Sequence, residues 1–217
     1  MLLHPYIDHT CLSPTAPTSA IKQLCEEAQT YHLHAVCVHG CYVALARNFL
    51  HESSVAIAAV VGFPLGAMTQ EMKVAEAKDC IVHGCTEIDM VINLGFVKSG
   101  LIDLVVKEVA EVKAAIKSNT LKVILETGHL NPKELEILCQ KLPETGADYL
   151  KTSTGFGPRG AALEDIKTMK AIVGSNMKIK ASGGIKDYHS ALEFIQAGAS
   201  RIGTSSGVAI VTHKPQL

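Results

Sequence analysis

The chain has 217 residues, 47% of them apolar and 19% charged, with a net charge of −1. That composition supports a sizeable core and excludes a disordered chain, and the near-neutral balance excludes a global basic field for nucleic acid or an anionic membrane surface. Seven cysteines, an odd number, no secretory signal and no apolar run of membrane-spanning length predict a soluble cytoplasmic protein with reduced thiols.

Eight short apolar or β-rich runs recur along the chain, separated mostly by segments of helical pattern. The first is Tyr6 to Thr10, closed by Ser13-Pro14. Thr18 to Tyr31 follows, with Ile21, Leu24, Cys25 and Ala28 on one helical face. The second run is Ala35 to Val38, and Tyr42 to Leu50 reads helical. The third, Val55 to Phe63, ends in the turn Gly62-Phe63-Pro64-Leu65-Gly66 and leads into a helix over Thr69 to His83. The fourth is Glu87 to Asn93. Leu101 to Ser118 then repeats its apolar positions Leu104, Val105, Val109, Val112 and Ile116 at a period of 3.6.

The fifth run, Lys122 to Thr127, precedes a helix opened by Pro132 at its first position and ending near Leu142. The sixth, Tyr149-Leu150-Lys151-Thr152-Ser153-Thr154-Gly155, carries a lysine in an apolar strand. Leu163 to Val173 is the next helix; Lys178 to Gly184 is the seventh run; Tyr188 to Ala197 is helical; Arg201 to Gly207 is the eighth run. Strand then helix, eight times, predicts an α/β fold with a closed parallel (β/α)8 barrel, the TIM-barrel architecture. No Gly-x-Gly-x-x-Gly follows the first strand, which argues against a dinucleotide fold, and no linker divides the chain, so residues 1–217 read as a single domain.

In such a barrel the chemistry lies at the C-terminal ends of the strands. Asp8, Asp89, Glu126, Lys151 and Lys180 all fall inside the runs. Each alone reads as a paired structural group or a snorkelling lysine, and Lys122 and Lys178, which open their runs, read that way. Five ionisable residues on five strands converge on one cavity if all point inward. Two lysines there disfavour each other's charge, so Lys151 as a neutral amine beside a charged Lys180 makes a Schiff-base site, with Asp89 to move protons. Gly183-Gly184 and Gly203-Thr204-Ser205-Ser206-Gly207, after the last two strands, suit a phosphate. Ten histidines are present without His-Glu-x-x-His, and no Cys-x-x-Cys pair occurs, so no metal and no cofactor is expected. Cys37, within a strand, reads as a small buried apolar residue.

Ile7-Asp8-His9-Thr10, Val36-Cys37-Val38, Gly62-Phe63-Pro64-Leu65-Gly66, Glu87 to Asn93, Leu121 to Thr127, Lys151-Thr152-Ser153-Thr154-Gly155-Phe156, Lys180 to Ile185 and Gly203 to Gly207 together resemble deoxyribose-phosphate aldolase, from about Ile7 to Ile210. The resemblance implies a class I lyase that reversibly cleaves 2-deoxy-D-ribose 5-phosphate to D-glyceraldehyde 3-phosphate and acetaldehyde. By motif position Lys151 matches the Schiff-base lysine, Lys180 the second lysine, Asp89 the acid/base carboxylate and Asp8 a supporting carboxylate. Gly183, Gly184, Ser205 and Ser206 match the phosphate-binding loops. The implied partners are a small phosphorylated sugar and acetaldehyde, with no nucleic acid and no membrane, in a homodimer or homotetramer.

The chain departs from the family pattern at His39-Gly40, where relatives commonly read Asn-Pro, and in Lys214-Pro215-Gln216-Leu217, which lacks the tail tyrosine of longer relatives. Two competing readings keep the barrel. One is a transaldolase-like transferase or sugar-phosphate isomerase; the other is a silent phosphosugar-binding protein, against which the set Asp89, Lys151 and Lys180 argues.

Overall fold

Eight parallel strands close on themselves in sequence order, β1 to β8, with β8 pairing back onto β1 in the computed structural model, which describes residues 1–213. The strands are β1 Ile7–Thr10, β2 Ala35–His39, β3 Ala56–Val61, β4 Glu87–Val91, β5 Thr120–Ile124, β6 Tyr149–Lys151, β7 Lys178–Ser182 and β8 Arg201–Thr204. Between them run α1 Thr18–Thr30, α2 Val43–Phe49, α3 Gln70–Val82, α4 Leu94–Lys98, α5 Ile102–Ile116, α6 Pro132–Lys141, α7 Leu163–Val173 and α8 Tyr188–Gln196, and α9 Gly207–Thr212 follows β8. The expected TIM barrel is borne out. The tail Lys214 to Leu217, and with it the question of the missing tyrosine, lies outside the described residues.

Strand alternation sorts the apolar residues into two bodies. Val36, Val38, Ile57, Ala59 and Val61 face outward into the main core beneath the helices. Cys37, Ala58 and Val60 face inward and, with Leu12 and Phe63, form a small apolar cluster within the barrel. The helices follow local signals. Asn131 accepts from the Glu134 N–H and Glu134 accepts from the Asn131 N–H, a capping box that starts α6 with Pro132 in its first turn. On α1 the buried face is Ile21, Leu24, Cys25 and Ala28, as the periodicity predicts.

Several expectations need correction. β5 begins at Thr120, two residues earlier than expected, and ends at Ile124, so Glu126 stands beyond it with φ 50° in the left-handed region. β6 stops at Lys151, because Thr152 to Gly155 turn into the rim of the barrel. The long helical stretch ends at Ile116, where Lys117 takes φ 57°, and a separate short α4 precedes it. On α5, Leu104 is exposed and Glu108 is buried instead, in an ion pair with the buried Lys73 of α3.

Candidate active site

The interior of the barrel is charged. Asp8 from β1, Lys122 from β5 and Lys180 from β7 come from odd strands, and Glu87 and Asp89 from β4, Lys151 from β6 and Arg201 from β8 come from even ones. Asp8, Asp89, Lys122 and Lys180 have no exposed surface, and Lys151 keeps 3%.

Asp89 is the hub. Its Oδ2 accepts hydrogen bonds from Lys151 Nζ at 2.8 Å and Lys180 Nζ at 2.7 Å, and its Oδ1 accepts one from Lys122 Nζ at 2.8 Å. Lys180 also donates to Asp8 Oδ2 at 2.5 Å, and Asp8 Oδ1 accepts from Arg201 at 2.7 Å. Lys122 reaches Glu87 at 2.5 Å. Arg201 closes the lower end of this network, donating to Glu87 at 3.3 Å and to the Tyr149 hydroxyl at 3.2 Å.

Burial works against every charge here, and the pairings decide which charges survive. For Asp89, burial pushes the carboxyl up, but Lys122, Lys151 and Lys180 hold it well below the ordinary value. Asp8 is likewise held down by Lys180, Lys122 and Arg201 against its burial. Lys180 is pushed down by burial, yet Asp8 and Asp89 raise it above the usual lysine range, so it stays a cation. Lys151 goes the other way. Burial lowers it, Lys180 lowers it further, and Asp89 only partly offsets them.

The structure thus brings together four of the five ionisable residues singled out from sequence: Asp8, Asp89, Lys151 and Lys180. Glu126 does not join them. It accepts hydrogen bonds from the Thr154 N–H and hydroxyl, tying the loop after β5 to the loop after β6. Lys122 is the main omission. It reads from sequence as a snorkelling residue at a strand start, but β5 begins at Thr120, so Lys122 is the third residue and points into the barrel. The available signal was parity: Lys122 and Ile124 share one face while Val123 faces the outer core. Lys178, the other strand-opening lysine, is exposed as expected.

Above the charges lies a cavity of about 400 Å³ whose lining includes Lys151, Phe156, Gly183, Gly184, Lys186 and Ser205. Lys151 is the one member of the buried charged set that reaches this lining. Gly183 and Gly184 take φ of 91° and 81°, and Gly183 meets Gly160 so closely that a side chain at Gly160 would sit 2.2 Å from the Gly183 carbonyl oxygen. Ser206 is outside the lining and precedes α9 without a side-chain capping bond, its N–H donating to the Thr204 hydroxyl at 2.9 Å. His39, which departs from the family pattern, packs edge-on against Phe63 at 5.8 Å between ring centroids, and Phe63 packs in the same way against Phe156 at 5.5 Å. The departure therefore adds an aromatic wall at the rim. Among the described residues, no three His, Cys, Asp or Glu side chains are grouped to hold a metal ion, and no helix is long and apolar enough to cross a membrane.

A closed parallel barrel whose interior pairs lysines with carboxylates, and in which Lys151 at the C-terminal end of β6 opens onto the cavity, fits the aldolases, lyases that break carbon–carbon bonds, and the comparisons with known proteins agree. The model of the DeoC/LacD family aldolases matches residues 3–213, and the chain belongs to that family. A deoxyribose-phosphate aldolase of Caldanaerobacter subterraneus subsp. tengcongensis is 51% identical over 208 residues, 94% of this chain and 90% of that protein. The solved structure described as QR15, an aldolase, superposes with a TM-score of 0.93 at 40% identity, covering 96% of this chain and 94% of the other. The deoxyribose phosphate aldolase of Aeropyrum pernix, described as a unique tetrameric structure, superposes with a TM-score of 0.90 at 32% identity, over 96% of this chain and 89% of that one.

Proposed function

We propose that the chain cleaves 2-deoxy-D-ribose 5-phosphate reversibly to D-glyceraldehyde 3-phosphate and acetaldehyde through an imine on Lys151, in the breakdown of deoxyribose phosphates. One observation carries the reading: Lys151, with its proton affinity lowered, is the member of the buried charged set that opens onto the cavity. The amine adds to the C1 aldehyde, and loss of water gives a protonated imine. Asp89, with Lys180 behind it, serves through a bound water as the proton relay to the C3 hydroxyl. As that proton leaves, the C2–C3 bond breaks and its electron pair enters the imine, forming an enamine and releasing the three-carbon aldehyde. Protonation at C2 and hydrolysis free acetaldehyde and Lys151.

Asp8 supports the relay by fixing Lys180 at 2.5 Å. The phosphate would rest on the glycine turns at Gly183 and Gly184 and on Ser205, with the Lys186 ammonium at the same lining. Ser206 would contribute through the geometry of its loop. Residues 1–217 act as a single domain in this reading, and the seven free thiols support a cytoplasmic setting.

Assembly as a homodimer or homotetramer is supported by α3, which buries Lys73 and exposes Met72 at 60%, beside an exposed Leu104 on α5. Large apolar side chains left exposed on these two neighbouring helices, Met72 and Val82 on α3 and Leu104 on α5, are surface that a second copy can cover.

Borohydride reduction in the presence of acetaldehyde, followed by peptide mapping, tests the imine. The expected result is a reduced two-carbon adduct on Lys151. No adduct there would sink the mechanism, and an adduct on Lys180 would reassign it.

A further inference from the structure

The buried network holds three carboxylates, Asp8, Glu87 and Asp89, and four bases, Lys122, Lys151, Lys180 and Arg201. Three anions can balance three cations. A fourth cation would leave uncompensated charge in a cluster almost wholly removed from solvent, which is costly. One base must therefore give up its proton, and the contacts identify it. Arg201 cannot be the one, since a guanidinium stays protonated in proteins. It pairs with Asp8 at 2.7 Å and Glu87 at 3.3 Å. Lys180 holds two carboxylates, Asp8 at 2.5 Å and Asp89 at 2.7 Å. Lys122 holds two at close range, Glu87 at 2.5 Å and Asp89 at 2.8 Å, with Asp8 at 3.9 Å. Lys151 touches one carboxylate oxygen, Asp89 Oδ2, and shares it with Lys180.

We propose that Lys122 and Arg201 are positioning residues that keep Lys151 neutral and nucleophilic by occupying the carboxylates that would otherwise hold its proton. Neither lines the cavity. Both act through Asp89, Glu87 and Asp8 from deeper in the barrel. The groups that bear on Lys151 are Asp89 from β4, Lys180 from β7 and the Cys37 thiol from β2, with Lys122 from β5 and Asp8 from β1 one contact further away. His34 touches the network only at its outer end, 3.5 Å from Glu87. The inference rests on the imine reading above and assigns to it a control that lies outside the residues shared with the substrate.

The test is a cycle of charge changes read by pH. Lys122→Met removes a cation, leaves one carboxylate unmatched and hands its pull to Lys151. The acid limb of kcat/KM, and of borohydride trapping with acetaldehyde, is expected to move up by about one pH unit or more. Activity on the limb then falls on the order of tenfold per unit and returns at alkaline pH. Glu87→Gln removes an anion instead and is expected to move the limb toward acid. Combining Lys122→Met with Glu87→Gln restores the balance and is expected to bring the limb back near its wild-type position, and Lys122→Arg, which keeps the charge, should leave it there. A purely structural role for Lys122 predicts loss of kcat with an unmoved limb and no rescue by the second change; that result overturns the proposal. If Lys122→Met does not fold, Glu87→Gln alone decides, since an unmoved limb in that variant is equally fatal. Failure of the wild type to trap at Lys151 sinks the imine reading and this inference with it, whereas trapping in the wild type with unmoved limbs in the variants sinks this inference alone.

Discussion

Replacing Lys180 by Leu removes the cation that shares Asp89 Oδ2 with Lys151. Both side-chain nitrogens donate to that one oxygen, at 2.7 and 2.8 Å, and so lie within about 5.5 Å of each other. At roughly 5 Å and an effective dielectric constant near 20, two unit charges repel by about 3 kcal/mol, equivalent to about two pKa units. Lys180 is fully buried and Lys151 nearly so, so solvent screening does little to reduce that figure. Lifting the repulsion raises the proton affinity of Lys151, and the amine stays protonated to higher pH. Borohydride trapping with acetaldehyde reads this step apart from the later proton relay, in which Lys180 also takes part. In Lys180→Leu the pH of half-maximal trapping is expected to rise by about two units, with trapping near pH 7 on the order of a hundredfold slower and recovering toward pH 10. A trapping midpoint at the wild-type pH in a folded variant would refute the coupling between the two lysines.

Lys151→Arg puts a permanent cation at the cavity floor that cannot form the imine, so turnover should disappear; measurable cleavage in that variant would reassign the nucleophile. Gly160→Ala places a methyl group 2.2 Å from the Gly183 carbonyl oxygen and forces the loops after β6 and β7 apart. It should raise KM for the phosphorylated substrate by about tenfold while acetaldehyde trapping persists, a split that steady-state kinetics and trapping together resolve. Asp8, Glu87 and Asp89 all fall below their ordinary values of 3.8 for Asp and 4.5 for Glu. The unfolded chain therefore takes up protons first as pH drops. The stability these groups supply is complete above about pH 5 and is lost as pH falls below their unfolded values toward the folded ones. Urea midpoints should hold from pH 7 to 5 and drop steeply below pH 4; a flat profile would mean the carboxylates are not paired as described. Activity should survive a chelator, and a loss restored by added zinc would favour a metal-dependent route.

Much of this molecule is written locally. Short apolar or β-rich runs mark eight strands, and the 3.6-residue period of α1 places its buried face correctly. Lys151 and Lys180 stand out because each is a charge inside an apolar run, and Gly183-Gly184 because glycine there admits φ values of 91° and 81°. These features depend on neighbours a few residues away, and a sequence displays such neighbours directly.

The tertiary structure decided what each charge faces. Lys122 and Lys178 look alike as strand-opening lysines, yet one is fully buried at the hub and the other is exposed. The difference is where β5 starts, and that is set by pairing: Thr120 aligns with Glu87 of β4, so Lys122 aligns with Asp89. Arg201 heads β8 as unobtrusively and still holds Asp8 and Glu87, residues more than a hundred positions away along the chain. Glu126 shows the converse, since a left-handed φ after β5 turns it out of the barrel and onto Thr154. Strand propensity is local, but register and closure are properties of eight strands at once. The balance of three carboxylates against four bases exists only after the barrel has closed.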